Sequence, residues 1–342
     1  MKATILSIDG GGIRGILPAK ALVYLENKLT SHNKNTRLTD YFDLIAGTST
    51  GGIIATLLTV SDDNGRPLYS AEDALNLYAE HGSKIFDTSL WKKISSIGGV
   101  TDEKYSAAYL EKVLKKYLGD SLLSQTVKPL MVTSYDIRNR AAKFFTTTDS
   151  TKNSHRDFLL RDVCRATSAA PTYFEPARIF STTEVPFTLV DGGMFANNPA
   201  MTAYAEARTM DFRTILETEG KPAYPSADEM FLLSIGTGNV KKPYYYEQTK
   251  DWGQLQWIKP VIDMLMSGNA ETVDYELQQL FSTCKDKSNY VRIVPSLANV
   301  NPEMDDASPK NIKALLDAGD KFVDDYKDIL DNVANKLIDY NK

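Results

Sequence analysis

Histidine and cysteine are scarce in this 342-residue chain, which carries only His32, His81 and His155 and only Cys164 and Cys284. Two cysteines cannot build a disulfide framework, and without CxxC spacing they are no zinc signature. A reducing compartment is the default expectation. Long apolar runs are missing too: Ile53 to Val60 falls far short of the roughly 20 residues that span a bilayer. Any membrane contact is expected to be peripheral. Asp9 ends the first apolar stretch before it could serve as a secretory core. The expectation is a cytoplasmic protein, or one delivered by a route that needs no signal peptide. There is no excess of positive charge, since 39 Lys and Arg stand against 44 Asp and Glu for a net −5. That leaves no electrostatic footprint for nucleic acid.

What is present is globular: 42% hydrophobic and 24% charged residues, with no internal repeat, low-complexity tract or linker. The first seventy or so residues alternate strand, glycine turn and helix. Thr4 to Ile8 is a strand, and a helix follows Gly15 to about Leu29. Tyr41 to Ala46 is a second strand and Ile53 to Val60 a second helix. This βα-βα pattern predicts an α/β fold, with a parallel sheet and helices on its faces. Further helices are expected at Asp73–Glu80, Ser106–Leu118 and Phe158–Ser168. Further strands are expected at Leu130–Ser134, Lys143–Thr146, Phe187–Val190, Phe231–Ile235 and Tyr290–Val294. From Pro309 the apolar residues recur at helical spacing, so a helical C-terminal addition completes one α/β domain over 1–342.

Glycine-rich turns carry the chemistry. Asp9-Gly10-Gly11-Gly12-Ile13-Arg14-Gly15 lies between a strand and a helix and aims backbone N–H groups at one point. It can bind a dinucleotide pyrophosphate or a developing oxyanion, and the motif alone does not decide. A P-loop is excluded because no Lys-Ser/Thr closes it. Gly47-Thr48-Ser49-Thr50-Gly51 is a GxSxG pentapeptide with strand before and helix after, the setting of a nucleophile elbow.

A nucleophilic serine needs a base. No histidine follows Asp191, and all three histidines read as solvated positions, so a carboxylate is expected to do this work. Val190-Asp191-Gly192-Gly193 supplies one at a strand end. In a parallel sheet Gly10, Ser49 and Asp191 would then gather at the carboxyl edge. Asp191 could accept the Ser49 proton if partial desolvation lifts its pKa; an Asx-turn role is the alternative.

Asp9 to Gly15, Gly47 to Gly52 and Asp191 to Gly193, in that order, resemble the patatin-like phospholipases, which in turn resemble the catalytic domain of cytosolic phospholipase A2. Ala166-Thr-Ser-Ala-Ala-Pro-Thr-Tyr-Phe174, Leu233-Ser-Ile-Gly-Thr-Gly238 and Glu303-Met-Asp-Asp-Ala-Ser308 match plant patatins as well. The resemblance implies a three-layer α/β/α fold with a mainly parallel sheet, core motifs over about 5–205 and C-terminal elements over about 206–342. It implies Ser49 as nucleophile and Asp191 as base. Gly10, Gly11, Gly12 and Arg14 line an oxyanion hole, and Gly15, Gly47, Gly51, Gly192 and Gly193 are motif glycines. The implied reaction is hydrolysis of glycerolipid acyl esters, at membranes or micelles, through an acyl-enzyme, with no metal and no cofactor. Asp-Gly-Gly in place of the Asp-Gly-Ala common in plant patatins points to a bacterial or other intracellular protein rather than a storage protein. An activator-dependent bacterial effector phospholipase, a non-catalytic storage protein and a dinucleotide-binding protein remain the alternatives.

Two segments could meet lipid. One is Tyr244-Tyr245-Tyr246 with Trp252 and Trp257, rimmed by Lys241, Lys242 and Lys250. The other is Phe86, Leu90, Trp91, Ile94 and Ile97 beside Gly98-Gly99. Packing of these aromatics on the sheet or in the core is the alternative for both.

Overall fold

The computed structural model describes residues 1–86, 106–238, 243–298 and 300–342. Leu90, Trp91, Ile94, Ile97, Gly98, Gly99, Lys241 and Lys242 therefore lie outside the described residues.

The strands are β1 (Ala3–Ile8), β2 (Leu44–Thr48), β3 (Leu130–Asp136), β4 (Ala141–Thr146), β5 (Ala177–Phe180), β6 (Pro186–Asp191), β7 (Met230–Ile235) and β8 (Tyr290–Ile293). They form one sheet in the order β5-β6-β3-β2-β1-β7-β8, with β4 also on β3. Strands β3, β2, β1, β7 and β8 run parallel. β4 and β6 pair antiparallel to β3, and β5 pairs antiparallel to β6. The mainly parallel sheet expected from the sequence is what the structure has.

Side chains alternate across this sheet with the period of two that a pleated strand requires. Leu6 and Ile8 of β1, Ile45 of β2 and Phe231, Leu233 and Ile235 of β7 enter one core. Ala3, Ile5, Leu44, Ala46, Met230 and Leu232 enter the other. The first core is covered by α1 (Ile16–His32), α2 (Thr50–Thr59), α3 (Ala71–Ile85), α4 (Ala108–Leu118), α5 (Leu160–Thr167), α9 (Pro309–Asp325) and α10 (Lys327–Tyr340). A short α6 (Gly193–Ala196) follows β6. The second core is covered by α7 (Ala200–Ala207) and the long α8 (Gln254–Ser282). The layers are thus α/β/α. Strands buried on both faces explain why β1 and β7 read as continuous apolar runs.

Some boundaries differ from expectation. The second strand starts at Leu44, because Leu38–Tyr41 forms a 3-10 turn, and it runs on through Gly47 and Thr48 into the GxSxG motif. The C-terminal helix breaks at Tyr326 into α9 and α10. β5 and α8 were not expected. Pro260 and a nearly all-exposed first half conceal the periodicity of α8.

Candidate active site

The sheet register brings Ser49 and Asp191 together by a route the sequence did not suggest. β4 occupies one edge of β3 from Met131 to Asp136, so the other edge is shared. β2 takes Leu130–Thr133 and β6 takes Ser134–Asp136. Since β6 runs antiparallel, its last residue arrives head-on at the last residue of β2. Thr48 pairs with Thr133 and Asp191 with Ser134, adjacent residues of one strand. The expectation that Asp191 ends a strand parallel to the others is corrected: it reaches the carboxyl edge from the opposite direction.

Ser49 follows β2 and caps α2, with φ 54° and ψ −121°. Positive φ is uncommon and strained for a side-chain-bearing residue. Its neighbours hold it there: the Ser49 N–H donates to Thr167 Oγ1 at 2.8 Å, and that hydroxyl donates to Thr133 O at 2.6 Å. Gly51 is required by close approach, since a Cβ there would lie 2.2 Å from Ile8 O. The start of α2 beneath the hydroxyl favours negative charge at this point.

Ser49 and Asp191 line the same cleft, where the serine hydroxyl pulls the Asp191 carboxyl down, and the Gly193 N–H donates to Asp191 Oδ1 at 2.7 Å. Burial raises Asp191 to about 6, against the downward pull of the Ser49 hydroxyl and the Gly193 N–H. No histidine lines the cleft that holds Ser49 and Asp191. His32 and His155 are exposed. His81, expected in solvent, is instead half-buried, with Nδ1 3.1 Å from the Tyr109 hydroxyl and its ring against Tyr117.

The first glycine loop is clamped at several points. The Gly10 N–H donates to Asn197 O at 3.0 Å, and Thr237 Oγ1 donates to Gly10 O at 2.6 Å. The Ile13 N–H donates to Met304 O at 2.9 Å. Asp9 receives both terminal nitrogens of Arg292, at 2.7 and 2.5 Å, and Arg292 also donates to Ser234 Oγ at 2.7 Å. Gly12 sits at φ 59°, and a Cβ there would strike Met304 O at 2.1 Å.

This clamping engages two of the backbone N–H groups expected to serve an oxyanion hole. The Gly10 N–H is taken by Asn197, and the Arg14 N–H bonds Gly11 O at 3.2 Å. Among the described residues the Gly11 and Gly12 N–H groups have no acceptor, and both residues line the cleft with Ser49. Burial lowers Arg14 to about 10, so its guanidinium stays charged at neutral pH, with its Nε 3.3 Å from Gly11 O. Gly15, Gly47 and Gly192 are packed tightly on Thr50, Gly51 and Thr133.

Thr237 and Met304 lie in stretches noted above only for their likeness to patatins; their role in holding the loop was not read from sequence. Arg292 carried no signal beyond its place in an expected strand. The cleft encloses about 790 Å³, its open mouth included. Its walls are mainly apolar, with Ile53, Leu77, Ile85, Leu110, Phe174 and Met266 among them. Among the described residues no group of three His, Cys, Asp or Glu is placed to hold a metal ion, and no helix is long and apolar enough to cross a membrane.

The chain thus sets a strained serine at a strand-to-helix turn of an α/β/α sheet. The family profile described as patatin-like phospholipase matches residues 6–204, and the chain belongs to that family. It is 34% identical to Patatin-2-Kuras 3 of Solanum tuberosum, over 99% of this chain and 90% of that protein. It is equally 34% identical to Probable inactive patatin-3-Kuras 1 of the same plant, over 94% of this chain and 86% of that protein. VipD from Legionella pneumophila aligns with a TM-score of 0.36 and 14% identity, over 93% of this chain and 67% of VipD. Family membership supports a lipid acyl hydrolase. Since one relative is named as probably inactive, the case for turnover rests on the geometry of this chain.

Proposed function

We propose that the chain hydrolyses fatty acyl esters of glycerolipids, as a phospholipase A or related acyl hydrolase, with Ser49 and Asp191 as a catalytic dyad. The observation that carries this reading is a strained Ser49 in one apolar cleft with a buried carboxylate whose pKa is about 6.

A carboxylate at about 6 is ionised at neutral pH yet basic enough to take a proton in the transition state. Asp191 accepts the Ser49 proton as Oγ attacks the ester carbonyl. The Gly11 and Gly12 N–H groups meet the oxyanion, and the protonated Asp191 returns its proton to the departing alcohol. Water, deprotonated by Asp191, then attacks the acyl-enzyme; the fatty acid leaves and Ser49 recovers its proton. The clamps on the glycine loop hold those N–H groups still, which is where such stabilisation arises. The apolar walls suit the acyl chain.

A fluorophosphonate probe with peptide mapping tests the dyad. The expected result is one label, on Ser49, absent from Ser49→Ala and strongly slowed in Asp191→Asn. The kcat/KM for a soluble ester is expected to rise with pH as Asp191 loses its proton, half-maximal near pH 6. A label elsewhere, or rates indifferent to Asp191, would exclude the mechanism.

A further inference from the structure

The two halves of α8 behave differently. Asn269 anchors its middle: Nδ2 donates to Phe195 O at 2.7 Å, and Oδ1 accepts the Asn198 N–H at 3.3 Å. Beyond that anchor Val273, Leu277 and Phe281 are buried in the second core. Before it the helix projects, with Trp257 37%, Ile258 44%, Val261 40%, Met264 42% and Leu265 46% exposed.

At 100° per residue these five side chains share one arc, opposite Gln256, Asp263 and Ser267. The arc continues around the helix into Ile262 and Met266, which line the cleft, and Met266 lies over Gly193. An aromatic cluster precedes it: Trp252 stands edge-on to Tyr244 at 5.6 Å and to Trp257 at 5.1 Å, with Tyr245 and Tyr246 exposed. A contiguous exposed apolar surface of this kind marks a contact surface.

The continuity of this arc says what covers it. Because the arc runs unbroken into the cleft wall, anything seated on it reaches the cleft mouth. A second copy or a globular partner there would obstruct substrate, whereas a lipid surface supplies it. An acyl chain can move along such an arc without crossing water. From Tyr244 to Gly268 there are two lysines against three carboxylates, a net charge of 2 − 3 = −1, so among the described residues this face carries no positive excess to draw it to an anionic membrane. Aromatic rings at the start of the helix suit the depth of lipid headgroups.

We propose that the outward apolar arc of α8 seats the protein on the surface of a zwitterionic lipid bilayer and guides acyl chains from it into the cleft. This rests on the acyl hydrolase reading of Ser49 and Asp191, and the test keeps the two apart.

The full chain and a Val261→Asp/Leu265→Asp variant are floated with phosphatidylcholine vesicles and assayed in parallel on those vesicles and on a soluble short-chain ester. The expected result is a loss of vesicle binding by the variant of about ten-fold or more, a matching loss of vesicle hydrolysis, and soluble-ester turnover within about two-fold of the parent. Parent binding is expected to be indifferent to added phosphatidylserine and to salt. Trp257→Gln, a milder change at an exposed site, is expected to move binding the same way and guards against misfolding of the double variant. Undiminished binding by both variants, binding that needs anionic lipid, or a parent dimer that the variant dissociates would overturn the proposal. A parent that binds vesicles but neither turns over the soluble ester nor takes a label at Ser49 would overturn the hydrolase reading instead.

Discussion

The two ends of the central sheet each hold a buried ion pair, and they use it differently. At the amino end Lys221 donates to Asp43 Oδ2 at 2.6 Å, to Asn341 Oδ1 at 2.9 Å and to Lys2 O at 3.0 Å, tying the first strands to the C-terminus. At the carboxyl end the Asp9–Arg292 fork sits directly before a loop in which two N–H groups have no acceptor among the described residues. Around that fork lie a serine at φ 54°, a glycine at φ 59° and a carboxyl raised to about 6. One end uses a buried charge to close the structure; the other uses it to hold open a set of unsatisfied groups. At the carboxyl end, backbone strain and a raised carboxyl lie beside the proposed chemistry.

The sharpest way to break this contrast is at the amino end. Lys221→Met leaves Asp43 buried without its cation, and the expected loss is about 3–5 kcal/mol in denaturant unfolding, with turnover per folded molecule unchanged. A variant of parental stability and reduced turnover would show the two ends are not separate.

The opposite sign is expected for Asp191→Asn. The folded protein holds the Asp191 proton up to about pH 6, while the unfolded chain releases it near 3.8. The native state therefore loses stability as pH rises through that window. Removing the charge is expected to stabilise the protein by on the order of 3 kcal/mol above pH 6, with no gain below about pH 4. Melting curves across pH check this, and a gain independent of pH would remove the premise that burial raises the group.

The smallest effect sharpens the role of the fork. Arg292→Lys keeps the positive charge facing Asp9 but loses the paired geometry, so kcat is expected to fall by about ten-fold with KM little changed. A change confined to KM would place Arg292 in substrate binding rather than in positioning the loop.

Much of this was legible in the sequence because short-range chemistry announces itself. The fold class followed from buried apolar strands alternating with glycine turns and helices. Ser49 and Asp191 were singled out from their motifs and from the shortage of histidine. What stayed hidden depends on contacts across long stretches of chain. The clamps from Thr237, Arg292 and Met304 onto Gly10, Asp9 and Ile13 join residues more than two hundred positions apart. The hydrogen bonds of Gly10 and Arg14 narrow the donor set in a way no glycine motif reveals. The antiparallel approach of β6 had no local signature, since strand direction is decided by the connection and not by composition. α8 escaped because half of it lacks the buried face on which helical periodicity is usually read.

The head-on meeting of β2 and β6 on one edge of β3 has a consequence during synthesis. The hydroxyl is translated early, but its carboxylate arrives some 140 residues later, and the residues steadying the glycine loop later still. A slip of one residue by β6 would turn Asp191 to the far face of the sheet. A growing or partly folded chain thus carries the serine before its proposed base and the clamps on the glycine loop are in place.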